Sequence, residues 1–136
     1  MEYNNLTPEL KETAEKAIDI ALDILKTKTE KFHSFVIYGE KKNKLERFIT
    51  DSDDDALEQA IEFIEEIDDN SSAVVYAYQD EIKLKDGKEA AIVMNIYGDE
   101  EDNGYSFAQL YRYADNKIQL SDEKLFLGNI RNVLIF

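Results

Sequence analysis

The side chains in this chain that could do chemistry are its carboxylates, its tyrosines and a single histidine. Thirty Asp and Glu stand against sixteen Lys and Arg, for a net charge of −14. The acids are concentrated. Ten fall in Asp51–Asp69 (DSDDDALEQAIEFIEEIDD), which holds no Lys or Arg, and four more make up residues 99–102, Asp-Glu-Glu-Asp. These fourteen equal the whole net charge, because 16 acids and 16 bases remain elsewhere. Carboxylates at this density could bind a divalent cation, receive a basic partner, or simply solvate a helix face. Asp51, Asp53, Asp55 and Glu62 stand at positions 1, 3, 5 and 12 of the EF-hand spacing. Position 6 of that loop needs glycine for its sharp turn, and here it is Ala56. The apolar periodicity is already helical there, and a helix cannot wrap a calcium ion. No metal site is assigned, and no other carboxylate pair stands out.

The remaining chemistry is sparse. The absence of cysteine excludes disulfides and thiolate metal sites, and one histidine excludes a histidine-rich site. Neighbours in an extended strand point to opposite faces, so His33 and Ser34 cannot act as base and nucleophile on each other. His33 reads as a partly buried strand residue. The five glycines, at 39, 87, 98, 104 and 128, are scattered and form no phosphate loop. With no catalytic motif and no cofactor fingerprint, the chain reads as non-enzymatic. A pI near 4.4 repels nucleic acid. No apolar run approaches the ~18–20 residues of a membrane span. The start, MEYNNLTPELKE, is acidic and polar, unlike a signal peptide. A cytoplasmic location is the expectation, with neither nucleic acid nor membrane as partner.

These groups must be positioned by ordinary elements, and 136 residues suit one domain, 1–136. Thr7-Pro8 opens a first helix, with Thr as N-cap and Pro at its first position. Leu10, Ala14, Ala17, Ile18, Ala21, Leu22 and Leu25 form its apolar stripe, ending near Lys26–Lys28. The run Phe35-Val36-Ile37-Tyr38 reads as a strand covered on both faces. After the turn Gly39–Lys44, Leu45–Thr50 pairs back. Lys41, Lys42, Lys44 and Arg47 protect that edge, or meet the acids of a second copy. The acidic stretch forms the second helix. Asp51 or Ser52 caps it, and Ala56, Leu57, Ala60, Ile61, Ile64 and Ile67 line one stripe. Asp68 and Asp69 oppose the dipole at its end, and Asn70-Ser71-Ser72 stops it.

Ser72–Lys85 and Glu89–Tyr97 flank Asp86-Gly87, a hairpin signal. Gly98–Gly104 leads to Tyr105–Tyr113, and Asp115-Asn116 turns into a short strand Lys117–Leu120. The expected fold is α+β: a two-layer, five- to six-stranded, mostly antiparallel sheet in the order α-β-β-α-β-β-β, with both helices packed on one face.

A register follows if Lys85 opposes Lys88, which sets Tyr76 against Tyr97 and Ala77 against Ile96, and if Tyr97 then opposes Tyr105. One face then carries Ala73, Val75, Ala77, Ile92, Met94, Ile96, Ala108 and Leu110, and receives the helices. The other carries Tyr76, Tyr78, Val93, Tyr97, Tyr105, Phe107, Tyr111 and Tyr113, an amphipathic surface suited to a partner. The tail KLFLGNIRNVLIF is apolar enough to fold over that surface.

The layout resembles a group of small bacterial proteins without an assigned activity. In these an N-terminal helix leads to an F-x-x-F strand, a hairpin, a helix and a strand-turn-strand. The matching pieces here are Phe32-His33-Ser34-Phe35, the acidic helix and Ala91-Ile92-Val93-Met94, over residues 8–113, although the proline often seen inside the F-x-x-F segment is absent. The element order is also similar to roadblock-type dimerising scaffolds, which implies a third helix at the C-terminus. The resemblance brings no functional residues.

Two functions are carried forward. The first is association with another protein or a second copy, through Tyr76, Tyr78, Tyr97, Tyr105, Tyr111 and Tyr113 or through a sheet edge. The second is an immunity- or inhibitor-type protein whose acidic helix, through Glu58, Glu62 and Glu65, blocks a basic toxin or enzyme.

Overall fold

A computed structural model describes residues 1–27, 32–67, 71–85, 87–115 and 117–134. After a short 3-10 turn at Tyr3–Asn5, the elements are α1 (Pro8–Thr27), β1 (Ser34–Tyr38), β2 (Lys44–Phe48), α2 (Asp53–Glu65), β3 (Ala73–Leu84), β4 (Gly87–Gly98), β5 (Asn103–Ala114) and β6 (Lys117–Arg131). The six strands form one open sheet in the order β2-β1-β3-β4-β5-β6, every neighbouring pair antiparallel. The α+β class holds, with six strands. No helix among the described residues is long and apolar enough to cross a membrane.

Local chemistry sets both helix starts. The Leu10 amide donates to Thr7 Oγ1 at 3.3 Å, and the Asp55 amide to Ser52 Oγ at 3.1 Å, each satisfying an otherwise orphaned N–H. The α1 stripe buries Leu10, Thr13, Ala14, Ala17, Ile18, Ala21 and Leu25. Its alanines let the helix sit close, and the bulk comes from Phe35, Ile92, Met94 and Phe107 of the sheet. Thr13 is buried without loss because its hydroxyl donates to the Glu9 carbonyl at 2.9 Å.

The helices do not share a face. Residues 73, 75 and 77 of β3 join the α1 core, whereas Val74 and Tyr76 join Val36, Phe48 and the buried α2 residues Ala56, Ala60 and Ile64. The molecule is therefore layered as α1, sheet, α2, which corrects the two-layer expectation. The physical reason is that β1, β3 and β4 are apolar on both faces and need two covers. The double-sided burial of Phe35, Val36 and Ile37 agrees with the reading of β1 as an interior strand.

The register also differs from expectation. Leu84 opposes Gly87, so β4 is shifted by two positions from the expected pairing, and Tyr76 faces Asn95 rather than Tyr97. A shift of two preserves the faces. Between β4 and β5 the shift is one: Ile96, not Tyr97, opposes Tyr105. The connection is residues 99–102 rather than the longer Gly98–Gly104 expected, and is closed by the Glu101 amide donating to the Gly98 carbonyl at 3.2 Å. A one-residue shift turns every β5 side chain over. Tyr105, Phe107 and Tyr111 lie on the α1 side, and Ala108 and Leu110 on the α2 side.

The expected tail is instead a 15-residue edge strand, β6, and no third helix follows among the described residues. Register breaks opposite Ser106/Phe107 and Gln109/Tyr111 interrupt its pairing with β5. Asn132 and Val133 then turn back under cover, with Val133 against the α2-side core. Asp68, Asp69, Asn70, Asp86, Asn116, Ile135 and Phe136, assigned above to helix end, turns and tail, lie outside the described residues.

Candidate functional site

The expected tyrosine surface is divided by the sheet. On the α1 side, Tyr111 is 2 % exposed, and its hydroxyl meets Gln79 Nε2, whose Oε1 accepts from the Phe32 amide at 3.1 Å. Tyr105 is half-buried and donates to Glu101 at 2.8 Å. Tyr113, 47 % exposed, touches Tyr111 edge-on at 6.0 Å. On the α2 side, Tyr76 and Tyr97 are each 2 % exposed and belong to the core under α2, while Tyr78 is half-buried. Tyr76, Tyr97 and Tyr111 are therefore structural, which corrects their assignment as contact residues. His33, expected to be partly buried, is exposed.

What the structure does bring together is Tyr76 and Tyr78 with the acidic helix. Their rings stack at 5.5 Å and 30°. Phe48 meets Tyr76 edge-on at 6.2 Å, and Phe63 of α2 meets Phe48 and Tyr38 at 5.9 and 5.0 Å, fixing the helix on β1 and β2. At the N-terminal turn of α2, Asp53, Asp54 and Leu57 face Tyr76, Tyr78 and Asp80 across a notch of about 290 Å³. Burial raises the Tyr78 hydroxyl above its ordinary pKa, and the Asp80 and Asp53 carboxylates push in the same direction. The notch is a region of negative potential with an aromatic wall.

Past the notch, no helix among the described residues lies over the α2 side of the sheet. Ala91, Val93 and Ala108 are fully buried beneath the half-exposed side chains of Tyr78, Ile82, Leu110 and Leu125. At the far end Arg112 makes a bidentate pair with Glu89, which holds that carboxyl below its usual range. Sequence reasoning missed Leu110 and Leu125 as surface residues, because the expected β5 register puts Leu110 on the opposite face and Leu125 reads as part of a covering tail.

Glu58, Glu62 and Glu65 are exposed, as a landing face requires. Glu58 and Glu62 line a second, wholly different groove of about 350 Å³ with Asp51, Asp55 and Ile49, whose side chain is 72 % exposed. Glu65 is tied to Arg131 at 3.4 Å. Of the basic hairpin, Lys42 turns inward to Glu9 at 3.2 Å and Glu12 at 4.0 Å. No described cluster of three His, Asp or Glu is arranged to hold a metal ion. No family model, curated protein or solved structure matches the chain, so the resemblances drawn from Phe32–Phe35 and the element order assign no family.

Proposed function

We propose that the chain is a non-enzymatic association module that works through the half of the α2-side sheet face that α2 leaves open. One observation carries this reading: α2 covers Val36, Phe48, Val74, Tyr76 and Tyr97, with Tyr78 at the margin of that cluster, whereas no element among the described residues covers the neighbouring apolar Ile82, Leu110 and Leu125. An apolar surface next to charged residues marks a contact site more often than an idle one. Pairing at the sheet edges is the weaker route. β2 has five residues, three of them charged, and β6 is broken twice in register.

Light scattering on the eluting chain separates the two kinds of partner. A mass near 15.7 kDa assigns the face to another protein, and a dimer lost in Leu125→Asp assigns it to a second copy. The reading is overturned by a monomer whose Leu110→Asp and Leu125→Asp variants bind display-selected ligands as the parent does. A second reading, the acidic helix as a blocker of a basic toxin or enzyme, is favoured by the exposed groove of Asp51, Asp55, Glu58 and Glu62. Reversal of Glu58, Glu62 and Glu65 to lysine should abolish such binding; full binding by that triple variant removes it.

A further inference from the structure

We propose that the open face seats an amphipathic helix of another protein, apolar where it meets Tyr78, Ile82, Leu110 and Leu125, with a lysine or arginine entering the notch of Asp53, Asp54 and Asp80. This rests on the association reading and names the chemistry of its partner.

The occupant is a helix because of where it must lie. A segment laid on the face of a sheet finds no backbone partners there, so it has to satisfy its own N–H and C=O groups, which a helix does and a strand does not. The layer is already started. α2 lies on this face over β1, β2 and the near end of β3, and a second helix alongside would complete a helical layer over β3, β4 and β5. Small residues below and larger ones above give a contact surface that side chains of a helix can interdigitate with.

The cation follows from charge. Asp53, Asp54 and Asp80 line the notch beside the half-buried ring of Tyr78. A guanidinium or ammonium there meets carboxylates and the face of an aromatic ring at once. A second copy of this chain is the poorer occupant, since each brings a net charge of −14.

The test uses two synthetic helical peptides with the same apolar pattern, one with lysine and one with glutamate at the polar positions, titrated against the full chain by fluorescence anisotropy. The lysine peptide is expected to bind and the glutamate peptide to fail. Asp54→Lys with Asp80→Lys should weaken binding by about tenfold or more. Glu58→Lys with Glu62→Lys, the same charge change on the other groove, should hold it within about threefold. Equal losses in the two variants overturn the notch, since net charge alone then explains binding. Equal binding of both peptides, lost in Leu110→Asp, overturns the cation but leaves the association reading standing. Binding indifferent to Leu110→Asp, or binding by neither peptide, overturns the proposal, and the first of these removes the face as well. NMR shifts in the unaltered chain give a readout independent of variant folding: perturbation must centre on Tyr78, Ile82, Val93, Leu110 and Leu125, and a map centred elsewhere refutes the site.

Discussion

Asn132 ties the end of the chain to its middle. It is 1 % exposed, its Nδ2 donates to the carbonyls of Gly98 and Glu101 at 2.7 Å each, and its Oδ1 accepts from the Leu134 amide at 3.2 Å. Asn132→Ala removes a donor from two carbonyls, of which that of Gly98 keeps the Glu101 amide, and should cost about 1–3 kcal/mol in urea unfolding. Asn132→Asp should cost more, because a carboxylate would face the same two carbonyl oxygens; equal losses would show that the side chain serves only as filler. Tyr97 is one of several tyrosines that contribute a pH dependence at alkaline pH. Burial, the largest cause, pushes its hydroxyl up to about 12. A raised phenol pKa means that its contribution is fully present below the unfolded value, near 10, and is lost as pH rises through about 12. The contribution is on the order of 2–3 kcal/mol. Stability should therefore fall across that window in the parent and fall less steeply in Tyr97→Phe, which a pH series of urea midpoints reads directly. Asn132 is not marked out by sequence, since it sits in a tail read only for its apolar residues; Tyr97 is, but as a partner contact rather than as a core residue.

At the scale of elements, what was legible and what was not separate cleanly. Helix stripes, caps and strand positions were legible because they depend on local periodicity: Thr7 and Ser52 cap as read, and every residue of the α1 stripe is buried or half-buried. The face taken by α2 was legible too, but its signal lay elsewhere. The unbroken runs Val74-Val75-Tyr76-Ala77 and Ala91-Ile92-Val93-Met94 ask for cover on both sides, which two helices on one side cannot give. The β4–β5 register was not legible, since residues 99–102 offer several loop lengths and the choice turns over a whole strand. It has a direct test. Asn95 and Ser106 oppose each other, both buried, and the Ser106 hydroxyl donates to Asn95 Oδ1 at 2.9 Å. Asn95→Val alone strands the serine and should cost about 1–3 kcal/mol. Adding Ser106→Ala should recover part of that loss, giving a coupling of at least about 0.5 kcal/mol. Strict additivity would mean that the two side chains are on opposite faces, as the register expected from sequence (Tyr97 opposite Tyr105) requires.

Across the whole molecule the charge distribution sets one demand against another. α2 carries Asp53, Asp54 and Asp55 where the dipole favours them, but Glu62, Glu65 and the capping residue Glu66 where it does not. Of these last three, Glu65 reaches Arg131. Elsewhere the acids are used for the fold: Glu9 accepts from Ser72 and Lys42, which hold its carboxyl below the usual range, and Glu15 takes the Tyr3 hydroxyl at 2.8 Å and Lys124 at 3.4 Å. The C-terminal turn of α2 therefore carries acid that weakens the free chain. Glu66→Lys should stabilise it by about 0.3–1 kcal/mol at low salt, through the dipole and through relief of repulsion from Glu62. The gain should shrink as salt is added, because both effects act through solvent. Urea midpoints at low and high salt measure it. If the gain appears while the lysine peptide binds Glu66→Lys as it binds the parent, the surplus charge at that end is dispensable for the sheet-face site. If the midpoint does not move, the acids of α2 cost the fold nothing, and their concentration needs no partner to account for it.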